Sequence, residues 1–81
     1  MRLDKFLKVS RLIKRRTVAK DACEGEKVYL NDKIAKPGTV VKIGDIIEIA
    51  YGDRRLKLEI ISINEKAMKD EAKEMYRILE A

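Results

Sequence analysis

The chain has 81 residues, 46% of them apolar and 41% charged, with one cysteine and no histidine. A domain of this size buries only roughly 60–65% of the surface its unfolded chain exposes, which leaves little core to enclose a substrate pocket. Cys23 has no partner for an internal disulfide and no histidine–cysteine set exists to hold zinc, so neither metal nor other cofactor is expected and a reducing cytoplasm fits. Charges at positions 2, 4, 5 and 8 interrupt any leader-like apolar run, and no stretch is long and apolar enough to span a bilayer, so a cytoplasmic protein without membrane contact is expected.

The net charge of +5 is unevenly placed. Arg2, Lys5, Lys8, Arg11, Lys14, Arg15, Arg16 and Lys20 stand against Asp4 alone, so the first twenty residues carry +7 and the remaining 61 carry −2. A cluster of this kind is the electrostatic footprint of a surface that neutralises phosphates, and it exceeds what solubility requires. On a helix, Leu3, Phe6, Leu7 and Ser10 share one arc while Arg2, Asp4, Lys5 and Lys8 occupy the opposite one, so the first helix can anchor in a core and still face a partner. The run Lys14-Arg15-Arg16 then interrupts the apolar repeat. Thr17 opens a second helix whose Val18, Ala19, Ala22 and Cys23 share a narrow face, which makes Cys23 a buried filler late in its helix and not a reactive thiol.

Glu24-Gly25-Glu26 ends that periodicity, and Lys27–Asn31 reads as a short strand. Asn31-Asp32 is a tight-turn signal, with Lys33–Lys36 returning as a partner strand. Pro37-Gly38 and Gly44-Asp45 punctuate the connection to Ile46–Tyr51, the clearest strand, and Gly52-Asp53 turns it into a second one, Arg54–Ile63, whose pattern shifts at Ile61 in the manner of a bulge. Met68, Ala72, Met75, Tyr76 and Leu79 sit at helical spacing, which predicts an amphipathic helix over Lys66–Glu80 with Asn64 as its N-cap. The expected architecture is α+β: two N-terminal helices on a small, mostly antiparallel sheet, closed by a C-terminal helix.

Enzymatic readings lack parts. No histidine serves as a general base, and the four glycines form neither a dinucleotide fingerprint nor a phosphate loop. Asp45 in a turn and Glu48 on a strand are expected to be solvated structural carboxylates. With Phe6 and Tyr76 on core faces, Tyr29 and Tyr51 have no evident stacking role, so backbone recognition of structured RNA is favoured over a grip on unpaired bases.

Taken in order, RLDKFL, SRLIKRRTVAKDAC, KVYLN, AKPG and VKIGDIIEI resemble the S-four RNA-binding domain, named after the fourth protein of the small ribosomal subunit. The motifs cover residues 1–63, leaving 64–81 as a C-terminal amphipathic helix packed on the same domain. The short stand-alone form with a tail like KDEAKEMYRIL is similar to the bacterial RqcP (YabO) group, related to the fifteen-kilodalton heat-shock protein. That resemblance implies a non-catalytic protein of ribosome-associated quality control. It would bind large-subunit rRNA and peptidyl-tRNA on obstructed large ribosomal subunits, act as a monomer beside an RqcH-type factor, and support C-terminal alanine tailing. By position it implies an RNA-contacting set of Arg2, Asp4, Arg11, Arg15, Arg16, Thr17 and Lys20, to which the charge cluster adds Lys5 and Lys14. Alternatives are a heat-shock-type subunit recycling factor, a general RNA chaperone, or a protein-interaction adaptor working through the C-terminal helix. The family commonly has glycine where this chain has Glu26 and Asp32. Asp32 suits a left-handed turn, whereas Glu26 does so less well, so the exit from the second helix is expected to shift by one residue.

Overall fold

The computed structural model describes residues 1–80. Ala81, the last residue of the expected 64–81 segment, lies outside the described residues. Helix α1 spans Leu3–Val9 and α2 spans Arg16–Glu24; strands β1 (Val28–Leu30), β2 (Lys33–Ile34), β3 (Ile46–Tyr51) and β4 (Arg54–Ile60) follow, then a one-turn helix α3 (Lys69–Ala72), a 3-10 turn (Lys73–Met75) and β5 (Tyr76–Glu80). The strands form one antiparallel sheet in the order β2-β1-β3-β4-β5.

The core follows from the apolar arcs. Leu3, Phe6 and Leu7 of α1 and Ala19 and Cys23 of α2 are buried against Val28, Ile47, Ile49, Leu58 and Ile60 of the sheet. Each large side chain fully buried in this way stabilises the fold by about 1.5–3 kcal/mol relative to exposure. Ser10 completes the α1 arc, its buried hydroxyl donating to the Leu7 carbonyl at 3.3 Å. Asp4, expected on the solvent arc, is instead 2% exposed. The cause is the Pro37–Val41 segment lying over the first turn of α1, where the Asp4 amide donates to the Pro37 carbonyl at 3.1 Å and the Leu3 amide to the Thr39 carbonyl at 2.7 Å.

Both helices end on a left-handed residue that is not glycine: Arg11 (φ 61) after α1 and Glu26 (φ 61) after α2. At the end of α2 the Glu26 amide donates to the Cys23 carbonyl and the Lys27 amide to the Ala22 carbonyl, the paired bonds of a Schellman motif. The expected one-residue shift therefore does not occur. Gly25 keeps an ordinary φ of −80 and Glu26 takes the strained position itself, because two satisfied carbonyls offset the cost of a left-handed side chain.

Asn31 (φ 50) and Asp32 (φ 69) form the β1–β2 turn, both in the backbone region such hairpins need. The Asn31 side chain bridges to β3, accepting from the Ile46 amide at 2.9 Å and donating to Asp45 at 3.2 Å. Strand β3 has its expected bounds. Strands β1, β2 and β4 are shorter than expected, since pairing partners run out at their ends.

The C-terminal segment departs most from expectation. In place of one helix over Lys66–Glu80, α3 covers four residues with Met68 as its N-cap residue, and Tyr76–Glu80 pairs with β4. Asn64 instead closes a local turn, accepting from the Lys66 amide at 3.0 Å. The free edge of β4 decides the outcome: register sets Glu59 opposite Arg77 and Ile60 opposite Tyr76, with Arg77 donating to Glu59 at 2.6 Å. Leu79 is the extra residue at a register shift, so the bulge lies here and not at Ile61.

Candidate nucleic-acid interface

The N-terminal strand-like residues are held before α1 begins. Arg2 bridges to Val40, and the Val41 amide donates to the Met1 carbonyl at 2.9 Å. This fixes the backbone of Arg2 and lays its guanidinium against Gly38, whose missing side chain would have stood 3.8 Å from it. Asp4 then organises what surrounds it. One carboxylate oxygen accepts from Arg2 at 3.2 Å; the other accepts from the Lys5 amide at 2.8 Å and lies 3.5 Å from the Arg16 guanidinium. A buried carboxylate thus draws together guanidinium groups from the starts of two helices.

Those guanidinium groups remain usable. The side chains of Arg2 and Arg16 are 53% and 47% exposed, and each fork has donors left after serving Asp4. With Thr17 and Lys20 they line a shallow concavity of about 290 Å³. Helix α2 adds its own positive end there. Arg15, its N-cap residue, makes no side-chain capping bond and the first turn carries no acid, so among the described residues no side chain caps the first amides of α2. Forked donors, a hydroxyl, an ammonium and a helix start on one concave surface suit a phosphate-bearing ligand.

Among the residues singled out from sequence, Arg2, Asp4, Arg16, Thr17 and Lys20 meet in this concavity. Arg11 and Lys14 do not; they line a separate cleft of about 430 Å³ with Lys8, Glu65 and Lys69. Arg15 stands exposed at the start of α2, between the two groups in sequence. Lys5 is engaged by Glu65 at 3.1 Å. Lys8 and Lys69 were not singled out: Lys8 belonged to the basic run, but Lys69 reaches the cleft through a tail whose path the sequence misreported. Gly38 was visible within AKPG, without a sign that it backs Arg2. Cys23 lies beneath this face at 2% exposure, where burial, aided by the charges of Asp4 and Glu24, pushes its thiol up to about 11.

Residues 1–47, which carry α1, α2, the β1–β2 hairpin and the start of β3, match the S4 domain family. The chain belongs to that family. Over 78 residues it is 51% identical to a protein of Halalkalibacterium halodurans named RQC P-site tRNA stabilizing factor, covering 96% of this chain and 89% of that one. A Bacillus subtilis protein of the same name is 43% identical over 79 residues, 98% of this chain and 92% of the other. Among solved structures, Vibrio cholerae heat shock protein 15, described as trimeric, superposes with a TM-score of 0.88 at 35% identity, over 98% of this chain and 81% of that one. The resemblance read from RLDKFL through VKIGDIIEI therefore holds, and the S4 domain here carries its basic concavity at the start of α1 and α2.

Proposed function

We propose that this S4 domain chain is a non-catalytic RNA-binding protein of ribosome-associated quality control. It holds rRNA and peptidyl-tRNA on an obstructed large ribosomal subunit and supports alanine tailing by an RqcH-type factor. The observation that carries this reading is the convergence of Arg2 and Arg16 on the buried Asp4 beside the uncapped start of α2. The names of relatives at 51% and 43% identity supply the biological setting.

In this reading Arg2 and Arg16 fork onto phosphate oxygens, Thr17 and the first amides of α2 hydrogen-bond a phosphate, and Lys20 adds charge. Asp4 positions its two arginines and does not itself face the RNA. Arg11, Lys14 and Arg15 meet the backbone beyond this concavity, and Lys5 joins the contact set by exchanging Glu65 for phosphate. The protein works as a cytoplasmic, ribosome-associated monomer without a cofactor, since charge and shape suffice for backbone recognition.

Sucrose-gradient sedimentation of lysate from a culture with stalled translation tests the reading. The unaltered protein is expected with the large subunit, and Arg16→Glu in the soluble fraction with an unchanged circular dichroism spectrum. A folded Arg16→Glu protein that still co-sediments overturns the reading. The likeness to heat shock protein 15 favours a second reading, subunit recycling. Deleting the protein separates the two: loss of alanine-tailed chains supports the first, whereas intact tails with accumulated chain-bearing subunits support recycling.

A further inference from the structure

We propose that the apolar groove between the α1–α2 connection and the tip of the β3–β4 hairpin receives one unstacked nucleobase of bound RNA, with the Tyr51 ring as its stacking platform. The proposal rests on the RNA-binding reading and extends it from phosphates to a base.

The groove encloses about 510 Å³, within the range of small-ligand sites, and its walls are Leu12 and Ile13 from the connection, Val18 and Ala22 from α2, and Tyr51 from the hairpin. Val18 and Tyr51 are 49% and 47% exposed, although the alternation of β3 would bury Tyr51 with Ile47 and Ile49. Tyr51 falls beyond the end of the core. Neither the core nor the Asp4 concavity uses its ring.

Charge identifies the occupant. Lys27 is the ionic residue in the lining, and among the described residues no carboxylate lines the groove. Lys14 and Arg15 follow Ile13 in the chain and are exposed, while Arg54, beside Asp53, and Arg55, already bound to Glu48, line a second concavity that shares Tyr51. An apolar slot with an aromatic wall and cationic surroundings complements an anionic chain that bears flat aromatic groups, which is single-stranded or bulged RNA. A purely apolar peptide would offer Lys14, Arg15 and Arg54 no counter-charge. The connection that walls the groove runs directly into Arg16 and Thr17, so a nucleic-acid strand crossing the start of α2 reaches both sites.

The test uses fluorescence anisotropy with a stem-loop RNA carrying one bulged adenosine and its twin with an abasic residue at the bulge. The unaltered protein is expected to prefer the adenosine RNA by about 10-fold, the scale of one base–aromatic stack. Tyr51→Phe keeps the preference; Tyr51→Ala abolishes it while the salt dependence stays the same, because phosphate contacts persist. Equal affinity of the unaltered protein for both RNAs overturns the base site and leaves the RNA-binding reading standing. Binding to neither overturns that reading and the base site with it. If Tyr51→Ala loses large subunits in gradients yet no base preference exists, the groove holds a protein segment and the proposal is wrong.

Discussion

The basic clefts at the two ends of α1 carry similar charge under different control. At the N-terminal end, Arg2 and Arg16 are drawn to a carboxylate that is itself 2% exposed and anchored by the Lys5 amide. At the C-terminal end, Lys8, Arg11, Lys14 and Lys69 line the cleft, and among the described residues no carboxylate pairs with any of them. The first surface holds its donors near one geometry before a ligand arrives; the second must order each long side chain on binding, at about 0.5–1.5 kcal/mol apiece. The second cleft, lined by four cations and Glu65, therefore does not outbind the first, lined by three cations and Asp4, merely by carrying more charge.

The sharpest way to break this comparison is Asp4→Asn. Counting charge alone, removing an acid beside phosphates should tighten RNA binding. Positioning predicts the reverse, a loss of about 10-fold as Arg2 and Arg16 lose a charge-assisted anchor. Affinity for large subunits measured across a salt series decides the sign, and tighter binding would reduce Asp4 to a bystander.

A stability control comes next in size. Glu26→Gly relieves a left-handed side chain at the end of α2 and should raise unfolding free energy by about 1 kcal/mol, less the backbone entropy glycine adds to the unfolded chain. Denaturant titration reads it, and RNA affinity should not move.

At the unanchored cleft, Lys14→Ala should weaken binding only about 2- to 3-fold, by a similar factor on every RNA tested, and make the log–log salt slope shallower by about one. A loss as large as that of Asp4→Asn would erase the distinction between the clefts.

The smallest effect uses Cys23 as a reporter of Asp4. Its thiol is raised to about 11 first by burial and then by the Asp4 charge, so folding favours the neutral form. The stability this contributes is fully present below the unfolded pKa of about 9 and is lost as pH rises from there toward 11. Asp4→Asn should make that loss smaller and end it at a lower pH while its onset near 9 stays put, measured by melting temperature between pH 8 and 11 with Cys23→Ala as the blank.

The sequence was most legible where local chemistry and tertiary context agree. Strand β3 and the Asn31-Asp32 turn have the expected bounds because alternation and left-handed tolerance are both local properties. The N-terminal basic cluster was legible as charge, but its division between two clefts was not, since that depends on Asp4 being covered by Pro37–Val41. Lys66–Glu80 failed for a related reason. Its helical spacing is genuine over Lys69–Met75, yet the unpaired edge of β4 captures Tyr76–Glu80, and no window confined to the tail contains that edge.

The covering of α1 by Pro37–Val41 also separates the order of synthesis from the order of assembly. A growing chain that has emerged only as far as Lys36 already carries the whole basic run, with the Leu3 and Asp4 amides still lacking their partners at Thr39 and Pro37 and no Val40 to bridge Arg2. Such a fragment has the attraction without the grip. The surface is completed when the chain returns across its own beginning, so the earliest residues made wait for a segment from the middle of the chain to acquire their final shape.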